Sequence, residues 1–391
     1  MSATAVLDAH LDDAQRALLA ETAAVAHGPL QDVVHSDPPA PHGRVNRPLV
    51  AALAEHGFLG RLFARGPEGW RPDVSALDLC LIREGLARGC TEAETAFAVQ
   101  GLGTFPILHA GQRDVVDAWM PRIAAGEAVA AFALTEPDAG SDVAALSLRA
   151  EPDGDGHRLY GEKIWISNAP DADVYTVFAR TTDGAGARGL TAFLVPGDSE
   201  GLSGEPLEML SPHAIGRLVF DGVPVPREHR LGEIDAGFRV AMQTLDMFRP
   251  SVGAFATGMA LAALDAAVRH ATERRAFGRT LREFQAVSHR LADVAARVQA
   301  ARLAVHAAAT AYDRGIRPVT QASAIAKLLA TEVAQEAVDA AIQVHGARAL
   351  QRGHILEHLY REVRAPRIYE GASDIQREII ARGMFPREAR G

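Results

Sequence analysis

A single carboxylate, Glu370, lies in a short segment between two stretches of helical sequence. Pro366 disfavours helical backbone in the residue before it, and Gly371 leaves one side of the backbone bare, so a flat substrate could approach the carboxylate. Such a carboxylate is a candidate general base. A Glu-Gly pair on its own is more often a turn at a helix end, so this interpretation depends on the other motifs of the chain.

A stretch rich in small residues and hydroxyls, 132–142, predicts a strand that runs into a turn. Thr135, Ser141 and the backbone N–H groups around Gly140 could hydrogen-bond a polar ring edge and a diphosphate. A plain turn that uses Asp, Gly and Ser for local backbone hydrogen bonds fits the pattern equally well.

Trp165 and Ser167 stand two residues apart in a segment typical of a strand, 160–168. That spacing places both side chains on one face of the strand. Trp165 could cover one face of a flat aromatic cofactor while Ser167 bonds its edge. A Trp in a strand is more often part of the core when nothing else indicates a ligand.

These residues are positioned by three regions of different character. Helical spacing of apolar residues predicts helices up to about residue 128, and short apolar runs separated by turns predict a small antiparallel β domain from about 130 to 230. Alanine-rich stretches at 252–271, 284–311 and 319–344 predict a close-packed helical bundle. We therefore predict an α+β protein with domains at 1–128, 129–232 and 233–391. No βαβ series is present, and Gly101-Leu-Gly103 is interpreted as a turn connecting helices.

Composition excludes several classes of function. The chain has 391 residues, 48% of them apolar, and a net charge of -9, which argues against binding nucleic acid or a membrane through a polybasic surface. Only two cysteines occur, Cys80 and Cys90, which fits a reducing compartment and small buried side chains. The N-terminal sequence predicts neither a signal peptide nor a transmembrane span, so we expect a cytoplasmic protein. No metal site is predicted.

Four motifs, taken in order, resemble those of the acyl-CoA dehydrogenase family, and the resemblance extends from about residue 45 to 385. They are Leu134-Thr-Glu-Pro-Asp-Ala-Gly-Ser-Asp142, Lys163-Ile-Trp-Ile-Ser-Asn168, Arg274-Arg-Ala-Phe-Gly278 followed by Phe284-Gln285, and Ile368-Tyr-Glu-Gly371 followed by Ser373-Asp-Ile-Gln376. The resemblance implies an N-terminal helical domain, a middle β domain and a C-terminal helical bundle.

The resemblance also implies FAD, bound between the β domain and the bundle. The residues expected at the flavin and its diphosphate are Phe132, Leu134, Thr135, Gly140, Ser141, Trp165 and Ser167. Those expected to reach the FAD of a neighbouring subunit are Arg274, Phe277, Gln285, Gln343 and Gly346. Sharing of this kind implies a homotetramer or homodimer. A solvated helix end is the alternative for Arg274.

The implied reaction removes two hydrogens from adjacent carbons of an acyl thioester. Glu370 takes the α-proton and the flavin accepts the β-hydride, while the backbone N–H of Glu370 and an FAD hydroxyl polarise the carbonyl. Arg249 matches a family arginine that tunes or orients the base, although an arginine at a helix N-terminus is the alternative. The base position used by other family members is Phe248 here, and Asp246 matches a residue bordering the thioester.

The resemblance also implies further substrate contacts, and some residues depart from the usual family pattern. Ser141 and Gly371 are expected to contact substrate, together with Glu94 and Thr95 on the helix that lines the acyl pocket. A buried Glu94 would suggest a small or functionalised acyl group, but we expect it on the helix surface. Ala372 replaces a usual threonine and Asp374 a usual amide, which alters the surroundings of FAD; His345, Ala347 and Arg348 depart from a glycine-rich loop.

The leading hypothesis is a dehydrogenase that forms an α,β-unsaturated thioester and passes electrons to an electron-transfer flavoprotein. A carrier-protein thioester could replace the acyl-CoA substrate. A flavin-dependent oxygenase or oxidase on the same fold is a further alternative, which Glu370 argues against. A flavin-free binding protein is opposed by Trp165, Arg274 and Glu370.

Overall fold

The computed structural model of the protein describes residues 8–36, 43–66, 69–71 and 75–385. Within these residues the helices are α1 (Asp13–His27), α2 (Pro29–Val34), α3 (Arg47–Glu55), α4 (Phe58–Leu62), α5 (Ala76–Gly89), α6 (Thr91–Ala110), α7 (Arg113–Ala124), α8 (Gly237–Glu273), α9 (Gln285–Asp313), α10 (Thr320–His345), α11 (Ile355–Glu362) and α12 (Ser373–Met384).

The strands lie mainly between α7 and α8. They are β1 (Ala64–Gly66), β2 (Gly69–Arg71), β3 (Ala130–Ala133), β4 (Arg149–Asp153), β5 (Gly156–Ser167), β6 (Val174–Arg180), β7 (Leu190–Pro196), β8 (Leu202–Pro206), β9 (Ile215–Val225), β10 (Arg230–Leu231), β11 (Arg275–Ala276) and β12 (Arg279–Thr280). The predicted order of helices, strands and helices is confirmed.

Contacts divide the chain into two compact units. The described part of the first comprises 8–31, 75–94 and 246–385, and that of the second comprises 32–36, 43–66, 69–71 and 95–245. Local sequence signals begin several helices. Asp12 and Gln15 form a capping box at α1, and the Ser75 hydroxyl accepts from the Asp78 N–H, at 3.0 Å, to begin α5.

The first unit is a helical bundle built on close approach between small residues. In it α1 packs against α5, and α10 packs against α9 and α12. A Cβ added to Gly258 on α8 would lie 2.5 Å from the Glu84 carbonyl oxygen on α5, so only glycine permits this helix separation. Alanines such as Ala254 and Ala260 are fully buried, in agreement with the predicted alanine-rich bundle.

The helix α8 contains an apolar window long enough to cross a membrane by length and composition. Of that window, 72% is buried inside the protein. A mostly buried helix of this kind is typical of a protein core.

The second unit is centred on an eight-stranded sheet with strand order β10-β7-β6-β4-β5-β9-β8, and β3 also pairs with β6. Most pairs are antiparallel, whereas β3 and β4 each run parallel to β6. The tight hairpin from β4 to β5 pairs Asp153 with Gly156. This sheet forms the predicted middle β domain, but it is mixed rather than purely antiparallel, because β3 and β4 run parallel to β6.

The interpretation of Gly101-Leu-Gly103 as a turn is wrong, because α6 continues through all three residues. A Cβ on Gly103 would lie 2.6 Å from the backbone nitrogen of Ala131 on β3. The glycine therefore serves close packing of helix against strand within a continuous helix.

Candidate active site

Glu370 lies in an irregular segment between a short 3₁₀ turn at Ala365–Arg367 and the helix α12. Its backbone adopts φ 50°, in the left-handed region that residues with a side chain rarely occupy, and Gly371 follows with φ 92°. A Cβ on Gly371 would lie 2.3 Å from Nε2 of Gln376. Glycine is thus required both for backbone conformation and for space.

Two side chains fix this segment through its carbonyl groups. Lys327 on α10 donates from Nζ to the carbonyl oxygens of Tyr369, at 3.1 Å, and Gly371, at 2.7 Å. Gln376 donates from Nε2 to the same Gly371 oxygen, at 2.8 Å. The carbonyl groups of both residues that flank Glu370 are therefore anchored to helices of the first unit.

The Glu370 carboxyl group is in an environment that suits a general base. Its side chain is half-buried, and Oε2 is buried with no hydrogen-bond partner among the described residues. Burial raises the pKa of the Glu370 carboxyl group above its ordinary value. The positive charges of Arg83, Lys327 and Arg249 act in the opposite direction on that pKa. A base with a raised pKa has more affinity for a proton, while the cations keep its charged form accessible.

Arg83 is held in a buried network on α5. Its Nε donates to the Glu94 carboxylate and its Nη1 donates to the Ser251 hydroxyl, at 2.7 Å. The guanidinium carbon also lies 6.0 Å from the centre of the Phe255 ring. Glu94 is fully buried, so the expectation that it lies on the helix surface is wrong.

The other residues singled out on α6 have local partners in the second unit. The Thr95 hydroxyl lies 3.5 Å from His213 Nε2. Gln100 donates to the carbonyl oxygen of Ala128, at 2.9 Å, and accepts from the N–H of Ala130, at 2.7 Å. The amide of Gln100 therefore secures the backbone that leads into β3.

Arg249 lies inside α8, which runs through Pro250 without ending. The alternative of an arginine at a helix N-terminus is therefore wrong. Arg249 is buried, its Nη1 donates to Asp246 Oδ1 at 3.0 Å, and its Nε is buried without a partner among the described residues. Burial raises the pKa of Asp246, and Arg249 opposes that shift. Phe248, between them, is buried.

In the second unit, Lys163 fastens the turn after β3 to β5. Its buried Nζ donates to the Leu134 carbonyl oxygen and to Glu136 Oε1, both at 2.8 Å. The Thr135 carbonyl oxygen accepts from the N–H of Ile164, at 3.1 Å. Burial lowers the pKa of Lys163 to about 8, and the Glu136 charge opposes this. Residues 134–136 are thus fixed against β5 by these hydrogen bonds.

That turn presents Gly140 and Ser141 to solvent, whereas Phe132 on β3 is half-buried. The Phe132 ring lies 4.9 Å, between ring centres, from Phe178 on β6. A Cβ on Gly140 would meet nothing within 4 Å. This backbone is accessible to a ligand.

Trp165 lies on a bulge of β5. The register with β9 shifts between Lys163 and Ile166, and Trp165 adopts φ 55°. Its side chain is 50% exposed and Ser167 is half-buried, while Ile166 between them is buried. The alternative that Trp165 is part of the core is therefore wrong, because half of its side chain is exposed.

The residues proposed to reach a neighbouring subunit lie in the first unit. Arg274, Phe277, Gln285, Gln343, Gly346 and Asp374 are all exposed. The ring centres of His270 and His345 are stacked 4.1 Å apart, which brings the end of α8 beside the end of α10. The loops that carry Arg274 and Gly346 start from these two helix ends.

Comparison with protein-family models gives three matches in chain order. Residues 12–127 match the acyl-CoA dehydrogenase N-terminal domain, residues 131–223 the middle domain and residues 235–385 the C-terminal domain. The chain belongs to the acyl-CoA dehydrogenase family.

Individual relatives agree with this acyl-CoA dehydrogenase assignment. The chain is 37% identical over 350 residues to cyclohexane-1-carbonyl-CoA dehydrogenase of Geobacter metallireducens, covering 89% of this chain and 91% of the relative. It is 34% identical over 346 residues to the caffeyl-CoA reductase-Etf complex subunit CarC of Acetobacterium woodii, covering 88% and 90%. The solved structure of PigA with FAD and proline superposes with a TM-score of 0.88 at 28% identity, covering 96% and 98%.

The predicted family, fold class and FAD-dependent dehydrogenase class are therefore confirmed at the level of the family. The residue types found in this acyl-CoA dehydrogenase family member are also suited to contact a flavin. An exposed indole stands on the β5 bulge, and an open glycine turn follows β3. An accessible aromatic face and an open backbone turn are features that a flavin ring and its diphosphate can contact.

Sequence reasoning missed Arg83 and Lys327. Both carry a signal that could have found them. Arg83 directly follows the apolar run 79–82 in α5, and Lys327 is the one cation among the apolar residues 324–330 in α10. Lysine and arginine are almost never fully buried unless they have partners.

Proposed function

We propose that this acyl-CoA dehydrogenase family member oxidises the bond between the α- and β-carbons of an acyl thioester, with Glu370 as the base. The observation that carries the proposal is the Glu370 carboxylate itself, whose Oε2 is buried and lacks a hydrogen-bond partner among the described residues. A buried carboxylate oxygen without a partner is free to accept a proton from substrate.

In the proposed reaction, the α C–H bond breaks and its proton goes to Glu370 as the C=C bond forms. When bound, FAD supplies the acceptor for the hydride that leaves the β-carbon. Burial favours the protonated form of Glu370, and the positive charges of Arg83, Lys327 and Arg249 favour the ionised form. The environment of Glu370 therefore supports both states that the base must adopt.

The thioester carbonyl must be polarised as charge develops on the α-carbon. We assign one donor to the backbone N–H of Glu370, whose orientation is fixed because its neighbouring carbonyls bind Lys327 and Gln376. Arg249 and Asp246 are assigned to orienting the base and bordering the thioester. Their ion pair on α8, at 3.0 Å, supports a fixed arrangement.

Further substrate contacts are proposed for Gly371, Ser141, Glu94 and Thr95. Gly371 offers bare backbone beside the base, and Ser141 is exposed on its turn. Burial of Glu94 favours the earlier alternative of a small or functionalised acyl group, because a charged pair would adjoin the acyl chain rather than an apolar wall.

FAD would be held by two sets of residues. The first belongs to the second unit and consists of Phe132, Leu134, Thr135, Gly140, Ser141, Trp165 and Ser167. The second consists of Arg274, Phe277, Gln285, Gln343 and Gly346 of an adjacent subunit, with Asp374 near the cofactor. A guanidinium such as Arg274 suits a diphosphate through charge-assisted hydrogen bonds.

Because the second set of FAD contacts comes from an adjacent subunit, we also propose that the protein is a homotetramer or homodimer. This proposal is supported by Phe277, whose ring is 94% exposed in the single chain. An aromatic side chain so exposed gains free energy when a partner surface covers it.

We further propose that electrons pass to an electron-transfer flavoprotein, because the CarC relative is named as part of a complex with Etf. A cytoplasmic location and domain boundaries at 128/129 and 232/233 complete the proposal. The ranges of the three family matches support those boundaries.

The experiment that tests this function is an anaerobic titration of the purified flavoprotein with acyl-CoAs and acyl-carrier-protein thioesters, followed by flavin absorbance. Bleaching by a member of the panel supports the proposal and identifies the carrier. Failure of every thioester to bleach a flavin that dithionite still reduces would contradict it, and fast oxidation of the reduced flavin by oxygen would favour an oxidase or oxygenase.

A further inference from the structure

Lys327 has an arrangement that the proposed chemistry does not by itself require. It projects from the first half of α10, its side chain is fully buried, and its Nζ bridges the carbonyl oxygens of Tyr369 and Gly371. These are the residues on either side of Glu370. A single ammonium group therefore holds both flanks of the candidate base.

The held backbone is one that would relax without support. Glu370 has φ 50° and Gly371 has φ 92°, so two consecutive residues lie in the left-handed region. Such conformations persist in residues with side chains only when surrounding contacts fix them. The Lys327 bridge, together with the bond from Gln376 to the Gly371 oxygen, supplies those contacts.

The three cations that act on Glu370 are not equivalent. Arg83 forms a direct ion pair with Glu94, and Arg249 forms one with Asp246. Lys327 instead donates to two backbone carbonyl oxygens. Among the described residues, the Lys327 ammonium is therefore bonded to backbone carbonyl groups and not to a carboxylate.

The charged groups that face Lys327 come from three parts of the unit. They are Glu370 on its segment, Arg249 on α8 and Glu332 on α10 itself. Burial lowers the pKa of Lys327 to about 8, the two carboxylates oppose that shift, and Arg249 adds to it. Lys327 therefore remains mostly charged at neutral pH.

We propose that Lys327 is a positioning residue for the dehydrogenation: it locks the backbone of Glu370 in the left-handed conformation and supplies the positive charge that favours the ionised base. This inference rests on the proposed function, since it assigns Lys327 a role through Glu370.

Three substitutions separate the two parts of this role in the FAD-loaded enzyme. Lys327→Gln keeps N–H donors and removes the charge, Lys327→Met removes both, and Lys327→Arg keeps the charge. Ser323→Ala is the matched control, because Ser323 is a buried residue one turn earlier on the same face of α10. Glu370→Gln is included to assign the spectroscopic band of the Glu370 carboxyl group.

The first readout is independent of turnover. Difference infrared spectroscopy follows protonation of the Glu370 carboxyl group with pH, and the band is assigned by its loss in Glu370→Gln. The second is the pH dependence of anaerobic flavin bleaching by substrate. We expect Lys327→Gln and Lys327→Met to move both midpoints to higher pH and to slow bleaching at pH 7 by about tenfold. Lys327→Gln should recover at higher pH, whereas Lys327→Met, which also loses the donors to the backbone, should stay slower than Lys327→Gln there. Lys327→Arg and Ser323→Ala should keep the wild-type midpoints.

A general structural defect would slow bleaching of Lys327→Gln at every pH without moving its midpoint, and that result would overturn the inference. Unchanged midpoints and rates in both variants would overturn it as well. If Lys327→Met fails to fold, Lys327→Gln and Lys327→Arg provide the same comparison. Normal bleaching in Glu370→Gln, by contrast, would refute the proposed function and not the geometry of Lys327.

Discussion

Arg83 and Glu94 form an ion pair from which solvent is excluded, with side-chain exposures of 3% and 0%. Removing two charges from water is unfavourable, and a buried pair offsets this only when its remaining hydrogen bonds are satisfied. Arg83 makes one such further hydrogen bond, to the Ser251 hydroxyl, at 2.7 Å. The pair also acts on the catalytic region, because the Arg83 charge lowers the pKa of Glu370.

We predict that Glu94→Gln lowers the free energy of unfolding by about 3 kcal/mol, since it leaves a buried guanidinium without its direct ion-pair partner. Urea unfolding measures this loss. The control is Glu378→Gln on α12, which breaks an exposed pair with Arg382 and should change stability by less than ~0.5 kcal/mol. The double variant Arg83→Met with Glu94→Leu should recover much of the loss. Equal effects of the two single substitutions would argue against this view of the pair.

Gly371→Ala should destabilise the protein by about 1–3 kcal/mol and slow flavin reduction, because it combines φ 92° with a Cβ 2.3 Å from Gln376 Nε2. Gly315→Ala provides a control that has positive φ, 68°, but no atom within 4 Å of the new Cβ. Thermal unfolding of both variants tests the difference. A loss at Gly371 no larger than that at Gly315 would show that the collision with Gln376 is relieved without penalty.

Stability should depend on Glu370 in a pH-dependent way. Its pKa is raised in the folded protein, so the unfolded chain loses the proton first as pH rises, and the folded state is penalised above the ordinary glutamate pKa. Glu370→Gln removes this penalty. We therefore expect the melting temperature of the variant relative to wild type to rise as pH increases from about 4.5, the ordinary range of a glutamate. A difference that is constant with pH would contradict the raised pKa.

Arg274→Ala should reduce FAD retention during gel filtration and shift the protein towards smaller assemblies. The neighbouring Arg275→Ala is the control, since Arg275 is also exposed and donates to the Gly278 carbonyl oxygen, at 2.9 Å. Circular dichroism should show the same helix content in both variants. Flavin content that is unchanged in Arg274→Ala would count against the shared cofactor site.

Regular elements could be predicted from the sequence because their signals are local. Apolar spacing is enough to identify α8, α9 and α10, and Glu370 stands out through its glycine and proline neighbours. The Gly101–Gly103 segment was misinterpreted because glycine signals a turn locally, whereas here it allows α6 to approach β3. That requirement arises only from tertiary packing.

The electrostatic environment of Glu370 could not be predicted in the same way. Glu94 was expected on the surface because a charged residue in a helix usually lies there, but residues of α6 are buried around most of the helix near Glu94. Arg83 lies 11 residues earlier along the chain from Glu94, and Lys327 comes from a distant helix. Which charged side chains meet across two helices depends on how the helices pack, and a local sequence pattern does not predict that packing.

The most direct test of the central claim is rapid anaerobic mixing of Glu370→Gln with the thioester that bleaches the wild-type flavin. We expect the variant to bind FAD and to be reduced by dithionite, but to bleach with substrate at least about 100-fold more slowly than wild type. Glu378→Gln, a carboxylate-to-amide change at an exposed site, should match wild type. Bleaching of Glu370→Gln at a rate close to wild type would show that Glu370 is not the base.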